Sequence, residues 1–467
     1  MLPWTQPMRL RKIRNRKEET FMAFQAVYVP IGVGTYHMET ANEYFHRSME
    51  ALKELCPEIV CPESILLTTD AAAQYLQPLH PDLIILQNIT FANAAYASEV
   101  LRRFDCPLVL WTLREPVIDG GRLRLNSLTG AYSAANAIHA FRKDGQFEYV
   151  FGMPEESGVK AELGASIRAA QTLCALHSLK MAAIGHTPQG FGFGRALDAE
   201  MMSTFGVTLD SIEARELINK AKGYTQQDCE TELAEARRVL VGLDATPEQN
   251  VIDFARLYKA YKEYIQANGI GAIASRCWPD FFTEYGTPVC SVLSLLNANG
   301  IVASCEVDAY GALSMYVGQQ LTGRPSFFGD PVAMDENEGT ITYWHCGMAA
   351  CSLARQDTGA QVGVHPNRKI GPVMDFGCQA KIGATLFRIG RKTDGSFRFF
   401  IAECDVLDKP KQFCGASVVV KTKAPAQKVV FETIQGGWEP HYVVIYGSVA
   451  EELEKLGHMV GAEIWRY

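Results

Sequence analysis

Two carboxylates two residues apart, Glu306 and Asp308 in "ASCEVDAYGALSM", stand where an apolar strand-like run gives way to a helix-like one. A buried charge is costly unless it is paired or holds a cation. Asp308 has a ready explanation as the N-cap of the helix that follows, because Asp accepts hydrogen bonds from the free N–H groups of a first turn. Glu306 has none: the strand before it is apolar and the helix has not begun. A carboxylate placed there calls for a cation, and a cation calls for more oxygens or an imidazole. The candidates downstream are Asp330 in "RPSFFGDP", His345 in "TITYWHCG" and His441 in "GGWEPHYVV". Each also has an ordinary structural reading. Asp330 would serve as a turn residue before Pro331, and either histidine as a hydrogen-bonded core residue. Asp335, Glu336 and Glu338 read as a solvated acidic loop.

Glu306 needs a strand end to stand on, and the sequence supplies a set of them. "AVYVPIG" (26–32), "DLIILQN" (82–88) and "PLVLWTL" (107–113) are apolar runs separated by helix-like pieces at 41–55 and 92–104. Strands apolar throughout, alternating with amphipathic helices, imply a parallel sheet covered on both faces. A second set follows: "KMAAIGHTPQGFGFG" (180–194), "FGVTLDSIEARELINKA" (205–221), a long helix at 250–269, "IGAIASRCWP" (270–279), a helix around 287–299 and "GIVASCEVD" (300–308). The glycine-rich loop at 189–194 does not match the dinucleotide-binding spacing and reads as a plain flexible loop. After about residue 320 the pattern changes to alternation, with a Asp394–Gly395 hairpin turn, and 415–435 continues it as strand. The fold class is therefore α/β, with two parallel-sheet domains followed by an antiparallel β domain, a small barrel or sandwich. The expected divisions are a leader over 1–23, then 24–175, 176–320 and 321–467. Ligands on open α/β sheets bind beyond the strand C-termini, which is where Glu306 falls.

The chain has 467 residues, enough for roughly three domains. A net charge of -8 and no basic stripe with interleaved aromatics argue against nucleic acid as a partner. No run of about 18 apolar residues suggests a membrane span. "RLRKIRNRKEE" followed by "FMAFQAVYVPIGVG" partly imitates an export signal, but Glu18, Glu19 and Pro30 interrupt it and no small-residue cleavage site follows. The thirteen cysteines are scattered without a CxxC pair, as expected of small buried hydrophobes in a reducing cytoplasm. The sequon at Asn88 reads as incidental in such a compartment.

Taken together, "EVDAYGALSM", "GQQLTGRPSFFGD", "WHCG" and the late "GGWEPH" resemble the L-fucose isomerase family, which is related to the L-arabinose isomerases. The spacing of Glu306 and Asp330, 24 residues, is the strongest part of the match. The resemblance implies two Rossmann-like domains and a C-terminal β-barrel domain. It implies a divalent metal, usually manganese, held by Glu306, Asp330 and His441, with Glu306 and Asp330 also exchanging protons with the substrate. Pro440 stands where the family often has Asn. His345 is implied as a secondary ligand or supporting residue. The resemblance further implies a homo-oligomer, a hexamer, whose active site is shared between subunits. His37 and Arg114, on strand-end loops of the first domain, are then possible contributions from a neighbour.

The chemistry would be aldose–ketose isomerisation. A proton beside a carbonyl moves between C1 and C2 through an enediolate, which needs charge stabilisation and positioned carboxylates. Aromatic faces suit sugar C–H surfaces, so Trp438, close to His441, and Trp278, beside Arg276 in "SRCWPDF", are candidate substrate contacts. If Arg276 faces the far end of the sugar, it could pair with an acidic group such as a sulfonate. Two other classes compete. A non-catalytic two-domain sugar-binding protein would carry no stoichiometric metal. A glycoside hydrolase using Glu306 and Asp330 as its acid–base pair would need none.

Overall fold

The strands form where the sequence is apolar on both faces. The computed structural model describes residues 24–142 and 146–467, so the leader expected over 1–23 lies outside the described residues. Strands Ala26–Ile31, Leu83–Asn88 and Leu108–Thr112 are buried at every position, and with Glu148–Phe151 they make a four-stranded parallel sheet in chain order. Such burial leaves no polar face and requires helices on both sides. Two apolar clusters, one on each face of this sheet, hold the first domain together.

The second parallel sheet runs Thr208–Ile212, Lys180–Ile184, Ala272–Ser275, Val302–Cys305. Val302–Cys305 is an edge strand, and its register pairs Cys305 with Ser275. The chain then turns into helix Ala309–Thr322, which starts on Asp308 and ends on Gly323 with a left-handed φ of 66°. This helix packs on barrel strands Lys381–Arg391 and Tyr442–Ile445, so it joins the second domain to the third. One continuous apolar core spans both.

The last third is a closed antiparallel barrel. Around it run Lys381–Arg391, Tyr442–Ile445, Phe327–Asp335, Thr340–His345, Ala416–Thr422 and Phe397–Val406, the last pairing back with the first. Glu463–Arg466 adds a parallel strand outside this ring. Gly329 pairs with Tyr442 where a methyl group would stand 2.5 Å from the Trp344 carbonyl oxygen, so no larger residue fits beside Asp330. One expectation is corrected: strand character ends at Thr422, and Ala426–Gln435 is a helix. Ala426, Val429 and Thr433 are its buried positions, a helical period, and Pro425 suits a helix start. Among the described residues no helix is long and apolar enough to cross a membrane.

Candidate active site

The edge strand ends in an unusual turn. Glu306 and Val307 both adopt left-handed backbone, with φ of 57° and 54°. Each such non-glycine residue costs of order 1–3 kcal/mol and persists only when its surroundings enforce it. Here Val307 N–H donates to Ser275 C=O (3.2 Å) and Asp308 N–H to Cys305 C=O (3.0 Å). The turn carries Glu306 toward the barrel.

The barrel supplies the imidazoles. His345 ends strand Thr340–His345, and His441 immediately precedes strand Tyr442–Ile445. Donor atoms of Glu306, His345 and His441 all lie within 4.8 Å of one another. Glu306 Oε2 is 3.1 Å from His441 Nε2 and 3.7 Å from His345 Nε2. Neither approach has hydrogen-bond geometry, and Oε2 is buried without a hydrogen bond among the described residues. Asp330 Oδ1 comes to 3.4 Å from the same His441 Nε2. The residues implied by the sequence therefore converge, and His345 stands in the cluster itself rather than behind it.

Asp308 does more than cap its helix. Its Oδ1 accepts the Gly311 N–H (2.8 Å), as expected of the cap, and both its oxygens accept from the Arg388 guanidinium (2.6 and 3.0 Å). Its Oδ2 also lies 2.9 Å from His441 Nδ1. A carboxylate can only accept, so the proton is on Nδ1 and Nε2 is aimed at Glu306 and Asp330. Arg388 and Asp308 are 0% and 1% exposed, so this pair is sealed from water. His441 is packed by Phe328, with ring centroids 4.6 Å apart, and by Phe193 at 5.5 Å. Phe193 belongs to the glycine-rich loop, which is therefore not a free flexible loop. Its Gly192–Gly194 turn lies over the site, where a methyl group on Gly194 would meet Asp308 Cα at 2.8 Å.

Environment drives the proton affinities of Glu306 and Asp330 apart. Burial raises Glu306, but the imidazoles of His345 and His441 outweigh it and hold the carboxyl well below the usual range. Burial raises Asp330, and although both imidazoles pull it down, its carboxyl stays above the usual value. Burial lowers His441, but Asp308 and then Glu306 overcome it and push the imidazole up to about 10. Two carboxylates of opposite proton affinity beside one another are the usual mark of an acid–base pair.

The other candidates are placed as follows. Arg276 and Trp278 lie on the loop after Ala272–Ser275, at the same C-terminal end of the sheet as Glu306. Arg276 Nε donates to the Trp278 carbonyl (3.0 Å) and stands 2.8 Å from Asp280. Trp438 packs among barrel side chains. The Arg398 guanidinium lies 4.0 Å from its ring centroid, and its ring packs on Phe400 and Trp465. Trp438 lines a separate cleft of about 410 Å³ with Val332, Tyr343 and Ile434. His37 caps helix Met38–Leu55, and Arg114 forms a two-point pair with Glu156 (2.8 and 3.1 Å), both in the first domain.

A sulfoquinovose isomerase of Clostridium sp. (strain MSTE9) is 61% identical over 440 residues, 94% of this chain and 98% of that protein. The chain belongs to the sulfoquinovose isomerase family. The sulfoquinovose isomerases of Priestia aryabhattai and Alkalicoccus urumqiensis are 37% and 35% identical, over 94% and 93% of this chain and 98% and 97% of theirs. No family model matches the chain. Membership in the sulfoquinovose isomerase family makes the chain an isomerase, an intramolecular oxidoreductase acting on a sugar, and sets aside the non-catalytic and hydrolytic alternatives.

Two stability predictions follow from the Asp308 network. Arg388→Ala leaves a buried carboxylate without its cation and should cost about 3–5 kcal/mol, read by denaturant unfolding. A cost under 1 kcal/mol would show that the pair is not holding this charge. The second concerns pH. His441 rises from an unfolded value of about 6.5 to about 10, so its charged form stabilises the fold fully below about pH 6.5. That contribution fades as pH rises through about 10. Chelator-treated protein should lose thermal stability across this window, and His441→Gln should flatten the slope. An unchanged slope would mean that His441 does not carry the charge.

Proposed function

We propose that the chain interconverts sulfoquinovose, a hexose with a sulfonate on C6, and the corresponding ketose by proton transfer between C1 and C2. The names of the relatives supply the substrate class. The observation that carries the chemistry is the convergence of Glu306, His345 and His441, with Asp330 alongside and a buried Glu306 oxygen left without a hydrogen bond. That donor set fits a divalent cation, and mixed carboxylate and imidazole ligands favour Mn2+. Bound there, the cation supplies Lewis-acid stabilisation for negative charge developing on O1 and O2.

The chain's own residues do the remaining work. Glu306 stays ionised at the strand end. Asp330, with the higher proton affinity, takes the proton from one carbon and returns it to the other. Asp308 keeps His441 in one tautomer. Phe328 and Phe193 pack on His441 and exclude water from its faces.

The chain works as a cytoplasmic homo-oligomer, a hexamer, with the site completed by a neighbour's first domain. Two observations support this reading. All thirteen cysteines are free, and Ile118, Leu123 and Tyr132 of the first domain are 93%, 50% and 74% exposed.

Chelation with EDTA should abolish aldose–ketose interconversion, and Mn2+ should restore it. Asp330→Asn should lower kcat by about 10²–10⁴-fold while leaving the fold intact. Full activity in EDTA would remove the cation from the reaction. Normal activity of Glu306→Gln would remove this site from it.

A further inference from the structure

We propose that Arg276, Trp278 and Arg368 form the subsite that takes the sulfonate of the substrate, an inference that rests on the sulfo-sugar reading above. The loop carrying Arg276 and Trp278 begins at the same C-terminal end of the sheet as Glu306, where Ser275 pairs with Cys305. Between the two, Cys277 is fully buried, and its sulfur lies within 4.8 Å of the Glu306 carboxylate and of the Cys305 sulfur. The loop is thus fixed against the catalytic centre, and the residues on either side of Cys277 are its neighbours.

Arg368 reaches the same tryptophan from the barrel domain, with its guanidinium 5.5 Å from the Trp278 ring centroid. The turn that presents it is held by His365. The backbone N–H groups of Asn367 and Arg368 donate to His365 Nδ1 (3.2 and 3.3 Å), and Lys369 N–H donates to the His365 carbonyl (2.9 Å). His365 in turn lies within 4.8 Å of the Cys290 and Cys346 sulfurs, and the Cys346 sulfur is 3.5 Å from His345 Nδ1. Both cationic segments are therefore tied to the metal-competent cluster through one buried cysteine each.

The charge of Arg368 is unpaired, and Arg276, although it pairs with Asp280 through Nε, keeps its terminal nitrogens open. Arg368 and Lys369 are exposed and make no ion pair among the described residues. Arg276 uses its Nε on Trp278 and Asp280, while its two terminal nitrogens make no hydrogen bond among the described residues. In a chain of net charge -8, two guanidinium groups around one tryptophan, both with open N–H donors, mark a place for an anion. A sulfonate suits them: it is charged at any physiological pH and offers three acceptor oxygens to planar N–H forks. The Trp278 face supplies a floor for the sugar carbons and already attracts one of the cations.

The test compares sulfoquinovose with the same hexose lacking the sulfonate, using the Mn2+-loaded full chain. Arg368→Gln and Arg276→Gln should each raise KM for the sulfo-sugar by about ten- to a hundredfold, leave kcat within a few-fold and leave the neutral hexose unaffected. Arg368→Lys should recover part of the loss. If wild type prefers the sulfo-sugar and both Gln variants keep that preference, the subsite is wrong and the substrate reading stands. If wild type turns over the neutral hexose equally well, both are overturned. If wild type isomerises neither sugar, calorimetric binding of sulfoquinovose decides the subsite alone. Binding lost in Arg368→Gln supports it, and binding retained, or absent from wild type, overturns it. Arg368 is on the surface, so its variants remain interpretable should Arg276→Gln disturb the loop.

Discussion

The buried carboxylate of Asp308 is the point on which the site depends. It caps helix Ala309–Thr322, neutralises Arg388 and fixes His441, three elements drawn from two domains. A buried ion pair of this kind is a poor source of net stability, because desolvation offsets most of the attraction. Its worth lies in orientation. A ligating histidine needs its second nitrogen held, and a carboxylate is a strong holder. Arg388 keeps Asp308 ionised and immobile, and Asp308 keeps the His441 Nε2 turned toward Glu306 and Asp330. The strained turn at Glu306 and Val307 is then the cost of bringing a carboxylate to the same point from the opposite side.

The site sits at a seam that is not a seam in packing terms. The second domain and the barrel share one apolar core, and the helix after Asp308 runs directly between them. A rigid joint follows, with Glu306 on one partner and His345, Asp330 and His441 on the other. The first domain keeps its own two apolar clusters.

Much of this was legible in the sequence, for reasons that are local. The strand end at Glu306, the cap at Asp308 and the α/β, α/β, β order follow from apolar runs, helical period and alternation, which short windows report. What escaped was what depends on distant partners. Nothing around Arg388, inside the barrel strand "GATLFRIGR", shows that it will meet a carboxylate 80 residues earlier. The glycines of 189–194 suggest freedom in sequence, whereas Gly194 allows close approach to Asp308 and Phe193 beside it reaches His441. Trp438 is three residues from His441 in sequence, but its ring packs under Arg398, a partner that no short window around it reveals. The helix at Ala426–Gln435 was hidden by its β-branched residues, and tertiary packing of Val429 and Thr433 overrode that preference. Nothing local marks Arg368, because the turn that presents it is built around the buried His365.

If Asp308 aims His441 at a shared cation site, a crystal of the chain grown with Mn2+ will show an anomalous scattering peak bonded to Glu306 and His441 Nε2. His345 or Asp330 would complete the inner ligands, and His441 Nδ1 would remain on Asp308. A peak elsewhere, or an His441 ring turned away from Asp308 with the cation bound, would contradict this arrangement.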